Sequence, residues 1–442
     1  MDGKQSAVAP KQLLSVWDGI ILICGMVIGA GIFKAPSIVA GNTSSGAEFL
    51  GAWVLGGVVS LCGALVYAEL ATRHPETGGE YAFLSRGMGR GVAFVFAWAR
   101  MTVIQTGAIA AVAFVFGDYA SEVFSFGKNS SAIYAALGVI ALTALNVAGT
   151  VESKGLQKVM QILLFAGLGF LVVAGLMAGA PAKPAAAAAG GGAFGLAMIF
   201  VLLTFGGWNE AAYLSGEVRD ARRSMIRILL GGIVTVTVIY LLVNVAYLAA
   251  LGLGGVKESK AVAADVVRIV MGDRGAVVIA LIVCLAALTT MNAAIFTGAR
   301  TSYALGRDFR FFGKLGAWRE SGSTPANALL LQGAITLVLV LASTLTPDGF
   351  SAMVAYTSPV FWTFFLLTAL TLFVFRRREP QSAAFRVPLY PVVPIAFCIA
   401  CVYMLYSSVN YVRFAVEFGV AVFAGLAIMA LGIPLYFLAR NR

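Results

Sequence analysis

Runs of about twenty predominantly apolar residues recur from one end of this chain to the other, and nothing else in it restricts folding so severely. A helix needs about 20 apolar residues to cross the ~30 Å hydrocarbon core of a bilayer. A soluble fold would have to cover every one of these runs. The chain lacks the polar surface to do so: 60% of its 442 residues are hydrophobic and 12% are charged, roughly half the charged share of an ordinary soluble domain. A water-soluble fold is excluded on these grounds.

The sequence predicts an all-α, polytopic membrane protein with 12 transmembrane helices, near residues 14–39, 49–72, 91–118, 131–149, 156–178, 193–217, 227–251, 275–303, 326–345, 350–375, 388–409 and 414–438. Residues 1–13 form a tail, 14–375 a ten-helix core in two halves (14–178 and 193–375), and 388–438 two additional helices. The net charge of +11 invites a nucleic-acid reading, but its distribution opposes one. With both termini in the cytoplasm, most of the 31 Lys and Arg fall on inner segments, among them Arg219, Arg222, Arg223 and Arg227 in one cluster and Arg376, Arg377 and Arg378 in another. That is the positive-inside pattern. The basic excess is then a matter of topology, and the expected setting is a cell (inner) membrane, with lipid rather than nucleic acid as the surrounding partner.

The polar tail precedes a first span too long for a cleavable signal core and without an A-x-A end. All five cysteines (Cys24, Cys62, Cys284, Cys398, Cys401) fall within spans, where apolar packing is the expected role. Residues 178–195, rich in Ala, Pro and Gly, read as an irregular outer connector. Residues 257–272 carry periodic apolar positions (Val262, Val266, Val267, Val270) and read as an amphipathic helix over the bundle. Residues 73–89 and 306–325 are the large cytoplasmic loops.

Glycine interrupts two apolar spans. The first reads Ile28-Gly29-Ala30-Gly31-Ile32-Phe33 and the sixth Phe205-Gly206-Gly207-Trp208-Asn209. The interruptions lie five helices apart, at corresponding places in two halves of five spans each. An odd number of spans per half makes the second half inverted relative to the first. Unwinding a helix in hydrocarbon frees N–H and C=O groups, each costly if unpaired, so a break persists only where those groups face a cavity, an ion or a ligand. Glycine leaves helical dihedrals cheaply and lets a ligand approach the backbone. Free N–H groups beyond the first break offer partial positive charge to a carboxylate, and free carbonyls before each break offer an acceptor to an ammonium group or small cation. A zwitterionic amino acid matches that set. Glycines in spans also permit close helix packing; the pairing of two breaks in matching positions is what favours a transporter's binding site.

Four segments carry a family resemblance: GMVIGAGIFKAP (25–36), YAELATRHPETGGEY (67–81), TFGGWNEAAYLSGEVRD (204–220) and LTTMNAAIFTGARTSYALGRD (288–308). They resemble the amino acid–polyamine–organocation superfamily, and its L-type amino acid transporter branch in particular. The resemblance implies a five-plus-five inverted-repeat fold with discontinuous helices 1 and 6, followed by two extra helices. It implies that Gly29, Ala30, Gly31 and Ile32 present N–H groups to a substrate carboxylate. Ile28, with Phe205, Gly206 and Gly207, would present carbonyls to its amine. Phe205 would be an aromatic lid, and Trp208, Asn209, Ile104 and Gly107 would shape the side-chain pocket. Relatives that pair with a glycoprotein subunit carry a cysteine in the loop after the third span; residues 119–131 have none, so no disulfide-linked partner is expected.

Coupling has several candidates. The slot where some relatives carry a sodium-replacing lysine falls near Leu164, while Lys154 and Lys158 lie nearer the cytoplasmic face, where snorkelling is the plain reading. Ala286, Thr289 and Thr290 share a helix face and, with the carbonyls of Gly25 and Ile28, resemble the sodium site of sodium-coupled relatives. Lys34, Arg100 and Glu210 are charges inside spans, each expensive unless paired or facing water; Glu210 could serve proton coupling, favour a cationic substrate or neutralise a basic neighbour, and Lys158 is a candidate coupling residue. Glu69 and Glu217 are expected in ion pairs with loop arginines. No metal or organic cofactor is expected beyond a coupling sodium ion or proton.

The leading reading is a symporter or exchanger of amino acids, neutral ones by the apolar pocket, with cationic amino acids or polyamines as the alternative. An enzyme would need a nucleophile–base pair or a metal cluster. The single histidine, His74, lies in a loop, and no HExxH or GxSxG occurs. A channel or a non-transporting receptor is the remaining class.

Overall fold

A computed structural model describes residues 15–74, 79–149, 154–179, 194–211, 221–319, 324–380, 385–414 and 416–440, with residues 154–158, 210–211, 221–223, 413–414 and 440 described in backbone only. Sixteen α-helices follow one another: α1 Val16–Val27, α2 Ala35–Gly41, α3 Gly46–Arg73, α4 Gly79–Met88, α5 Arg90–Ala99, α6 Gln105–Val123, α7 Ser130–Ala148, α8 Lys154–Met177, α9 Phe194–Thr204, α10 Trp208–Ala211, α11 Ala221–Glu258, α12 Val262–Asp308, α13 Ala326–Ser343, α14 Gly349–Arg378, α15 Val392–Phe414 and α16 Gly419–Arg440. Among the described residues, 10 helices are long and apolar enough to cross a membrane by length and composition. Two further apolar helices, Val16–Val27 and Phe194–Thr204, are shorter. These two are the glycine-interrupted ones.

Helix α1 starts on a capping box, in which Ser15 Oγ accepts from the Asp18 N–H and Asp18 accepts from the Ser15 N–H, satisfying donors that the first turn would otherwise leave open. It stops at Val27 because Ile28 and Gly29 turn extended. The chain then makes a short 3₁₀ turn, Ala30–Phe33, before α2 resumes with Pro36 in its first turn, where a missing N–H costs nothing. Helix α9 ends at Thr204, residues 205–207 form a turn, and α10 begins at Trp208.

Ten of the expected spans coincide with these ten long helices, with ends that differ by several residues or more, and two internal features were not disclosed by periodicity. The third span runs from Arg90 to Val123 through a π turn, Arg100–Ile104, between α5 and α6. The segment 73–89, expected as a loop, contains α4. The amphipathic helix expected over 257–272 forms the first part of α12, which bends at Gly272 (φ +66°) and continues to Asp308. Of its apolar face, Val262, Val266 and Val267 are buried while Val270 is exposed. Most of the 178–195 connector lies outside the described residues, as do Glu217 and the tail 1–13.

Helix α12 lies along α6, and α11 runs against α1, α2 and α3. Helix α14 packs on α6, and the last two helices, α15 and α16, are applied to α14. Large apolar side chains face outward on α8, α15 and α16, among them Ile162, Ile399 and Phe437. Outward apolar residues of this density suit a lipid surround, since lipid tails are as apolar as the side chains that meet them.

Candidate functional site

The two breaks touch. Gly207 sits at φ +110°, and a Cβ built on it would lie 2.5 Å from the Met26 carbonyl oxygen, closer than any side chain tolerates. Only glycine provides both the left-handed angle and that approach. Across the same contact, a Cβ on Gly31 would lie 3.2 Å from Thr204 Oγ1 and 3.3 Å from Thr204 Cα. The hydroxyl of Tyr240, on α11, is 3.0 Å from the Val27 carbonyl oxygen and 3.0 Å from that of Thr204. Its single proton serves one at a time, so it ties the last carbonyls of both interrupted helices to one neighbour. Tyr119 donates to the Phe33 carbonyl at 2.8 Å and Tyr247 approaches that of Ile32 at 3.4 Å. Carbonyls that unwinding would strand are thus met by phenols from α6 and α11.

Beside the second break lies a cavity of about 180 Å³, lined by Leu203, Gly206, Gly207 and Asn209, by Phe96, Arg100, Ile104, Gln105 and Ala108 of the α5–π–α6 span, by Phe361, Phe364 and Phe365 of α14, and by Glu80 of α4. A smaller cavity of about 70 Å³ shares Ile104, Ala108, Leu203 and Phe361 with it and extends along α6 and α14 to Ala111, Ile199 and Val354. The charges in the larger cavity are matched. Glu80 is buried and holds Arg100 Nη1 at 3.2 Å through one oxygen, and Asn209 donates to its other oxygen at 3.2 Å. Two charges and an amide therefore form a single network on apolar walls, which is the form in which charge persists inside a membrane protein. The π turn starts at Arg100 and ends at Ile104, both in the lining; such bulges inside α-helices are frequent at functional sites.

The residues predicted to bind substrate fall into three groups. Ile104, Gly206, Gly207 and Asn209 line the cavity. Ile28, Gly29, Ala30, Gly31 and Ile32 form the first break and meet the second without lining the open volume. Phe205 and Trp208 are buried in aromatic packing: Phe205 lies 5.0 Å from Tyr240 and 6.4 Å from Trp53, and Trp208 lies 5.3 Å from Tyr67 and 5.4 Å from Phe365. Gly107 faces α14, where its Cβ would meet Thr357 Cγ2 at 2.2 Å, a helix-packing position. Of the sodium candidates, Thr290 lies beside the first break, 3.4 Å from where a Gly29 Cβ would stand. Thr289 and Thr290 donate to the Leu285 and Ala286 carbonyls, leaving oxygen lone pairs as acceptors. Gly25 instead faces Gln161 of α8. The side chains of Glu210, Lys158 and Lys154 lie outside the described residues, and Leu164 is buried.

Two charge clusters flank the site. Lys34, just beyond the first break, is buried and pairs with Asp118 at 2.7 Å and Asp348 at 3.3 Å, joining α2 to the ends of α6 and α14. At the opposite end Glu69 of α3 is fully buried and accepts from Arg73 (3.0 Å), Arg376 (2.8 Å) and the Val387 N–H (2.7 Å). Sequence reasoning missed Glu80 and Tyr240. Glu80 looked like one more charge in a cytoplasmic loop; its place between two adjacent glycines and a tyrosine was the available signal. Tyr240 sits in a uniformly apolar span and gave none.

A family model described as amino acid permease matches residues 14–432. The chain is 26% identical to the serine/threonine exchanger SteT of Bacillus subtilis (strain 168) over 98% of either chain. It is 28% identical to the b(0,+)-type amino acid transporter 1 of Mus musculus, over 90% of this chain and 83% of that one. It is 26% identical to the cystine/glutamate transporter of Homo sapiens, over 98% and 86%.

Proposed function

The chain belongs to the amino acid permease family, and from that premise we propose that it is a secondary active transporter, an exchanger or symporter of neutral amino acids, working by alternating access. Transport of amino acids, rather than catalysis, is its activity; the amino acid class, the coupling and the route are the proposal. We read the fold as a five-plus-five inverted repeat of ten helices with two more appended, and the sites as the discontinuities of its first and sixth spans. The observation that carries the reading is the contact between the two breaks, Gly207 against Met26 and Gly31 beside Thr204, with a cavity at its edge.

The substrate enters the cavity at the second break and reaches the N–H groups of Gly29, Ala30, Gly31 and Ile32 as the two breaks part. The Glu80–Arg100 pair supports a neutral amino acid over a cationic one, because among the described residues the cavity carries no uncompensated charge for a basic side chain to neutralise. The name of the serine/threonine exchanger among the relatives supports exchange of small neutral amino acids. The Lys34 cluster is proposed as the outer seal and the Glu69 cluster as an inner one, with both termini in the cytoplasm and the protein in the cell membrane.

Counterflow in proteoliposomes tests the reading. Vesicles preloaded with unlabelled serine, threonine or leucine should accumulate the labelled amino acid transiently, and arginine or putrescine should not compete. Flux that never saturates would mean a channel, and binding without flux a receptor. Sodium coupling is a second reading, favoured by Thr290 beside Gly29. Under it, Thr290→Ala removes one oxygen ligand and raises the sodium needed for half-maximal uptake about tenfold, for a loss of about 1.4 kcal/mol. Uptake indifferent to both sodium and the substitution sinks it, leaving exchange or proton coupling through Glu210 or Lys158.

A further inference from the structure

A second pocket, about 740 Å³, opens at the end of the bundle where α5 begins and α12 and α16 finish. No residue lines both this pocket and the cavity at the breaks. Arg90 and Arg310 face it, together with Asp308, Tyr81 and Tyr436. Both arginines are exposed, and among the described residues neither makes a salt bridge. Asp308 opposes them with one carboxylate, which is occupied by the Tyr81 hydroxyl at 3.0 Å. Burial and that carboxylate push the Tyr81 phenol above its ordinary range, so it remains a donor to Asp308 at any physiological pH. Two guanidiniums against one engaged carboxylate leave the pocket positive.

Beneath the charges the pocket is apolar. Phe309 packs edge-on and Tyr436 tilted against the buried Phe94, with ring centroids at 4.7 and 5.5 Å. The α16 wall continues into Phe437 and Leu438, which point outward and are 59% and 60% exposed. Two guanidiniums beside aromatic residues, next to the outward apolar side chains of the same α16, suit a phospholipid better than a soluble ion. Guanidinium forks match the paired oxygens of a phosphate group, and basic pockets between helix ends at a membrane surface are where anionic headgroups settle. We propose that this pocket binds the phosphodiester headgroup of an anionic phospholipid between Arg90 and Arg310, with the acyl chains lying along α16. A soluble phosphate ester shares the headgroup chemistry but not the apolar chains.

The experiment is a melting-temperature titration of the purified, detergent-solubilised protein with short-chain phosphatidylglycerol, short-chain phosphatidylcholine and glycerol phosphate. Phosphatidylglycerol should raise the melting temperature by several degrees in a saturable way, as a ligand of the folded state must, and the other two should not. Arg90→Gln with Arg310→Gln should abolish the rise, whereas Arg227→Gln with Arg377→Gln, removing equal charge elsewhere, should leave it intact. Asp308→Asn should shift the titration to lower lipid concentration, which keeps the proposal testable if the arginine pair is needed for folding. An equal rise in the Arg90/Arg310 variant, or an equal rise with phosphatidylcholine, overturns the proposal. Equal stabilisation by glycerol phosphate overturns the lipid as the source.

Discussion

At Gly207 the backbone is left-handed and the Met26 carbonyl oxygen stands where a methyl group would go, so one residue type fixes the approach of two interrupted helices. Its neighbours Gly29, Gly31 and Gly206 were legible in the sequence because the two glycine breaks stand at matching places in two spans; a glycine pair alone, such as Gly56 and Gly57 against Val201 and Thr237, serves helix packing. Glu80 was missed: its place between Gly79 and Tyr81 was the available signal, and nothing local indicates that it will be drawn under the bundle to Arg100. Its role predicts a measurable coupling. Glu80→Gln leaves Arg100 and Asn209 without their shared carboxylate and should cost roughly 1.5–3 kcal/mol, the range for hydrogen bonds to charged groups, read as a lower melting temperature in detergent. Adding Arg100→Gln should restore part of the loss, because the two residues share one network. If the two substitutions are simply additive, the pair seen at 3.2 Å does not operate as one.

The elements divide along similar lines. Interrupted helices could be read from where apolar periodicity meets glycine, and the bend that starts α12 proper falls at Gly272, which closes the predicted amphipathic stretch. The π turn at Arg100–Ile104 left no trace, since one inserted residue in a predominantly apolar span changes no pattern. Helix α4 was hidden by polar residues on a short segment. Lys34 was visible as a charge that required a partner, but its partners Asp118 and Asp348 begin or end other helices, and only the fold brings them there. Lys34→Met strands two carboxylates; a fully buried pair broken on one side loses about 3–5 kcal/mol, and the loss here should fall below that because the Asp348 side chain is 34% exposed. The melting temperature should fall, and Lys34→Met with Asp118→Asn should recover some of it. An unchanged melting temperature would mean that Lys34 reaches water and seals nothing.

For the molecule as a whole, composition excluded a soluble fold and charge distribution proposed an orientation with both ends inside. Reporter fusions at the two termini should be active only in cytoplasmic-folding forms, and reporters active on the outer side would reverse the bundle. What the sequence could not supply is the relation between the open volume and the breaks. The cavity adjoins Gly206, Gly207 and Asn209, while Gly31 stands against Thr204, so binding at both breaks requires them to part. The most direct measurement is therefore amino acid binding to Gly31→Ala, followed by thermal stabilisation. The added methyl meets Thr204 at 3.2–3.3 Å, a contact that a shift of a few tenths of an ångström relieves, so the variant should fold with a melting temperature near that of the unmodified protein. It should nonetheless lose stabilisation by every amino acid that stabilises the parent. Parent-like stabilisation of Gly31→Ala would contradict a substrate site built from the paired breaks.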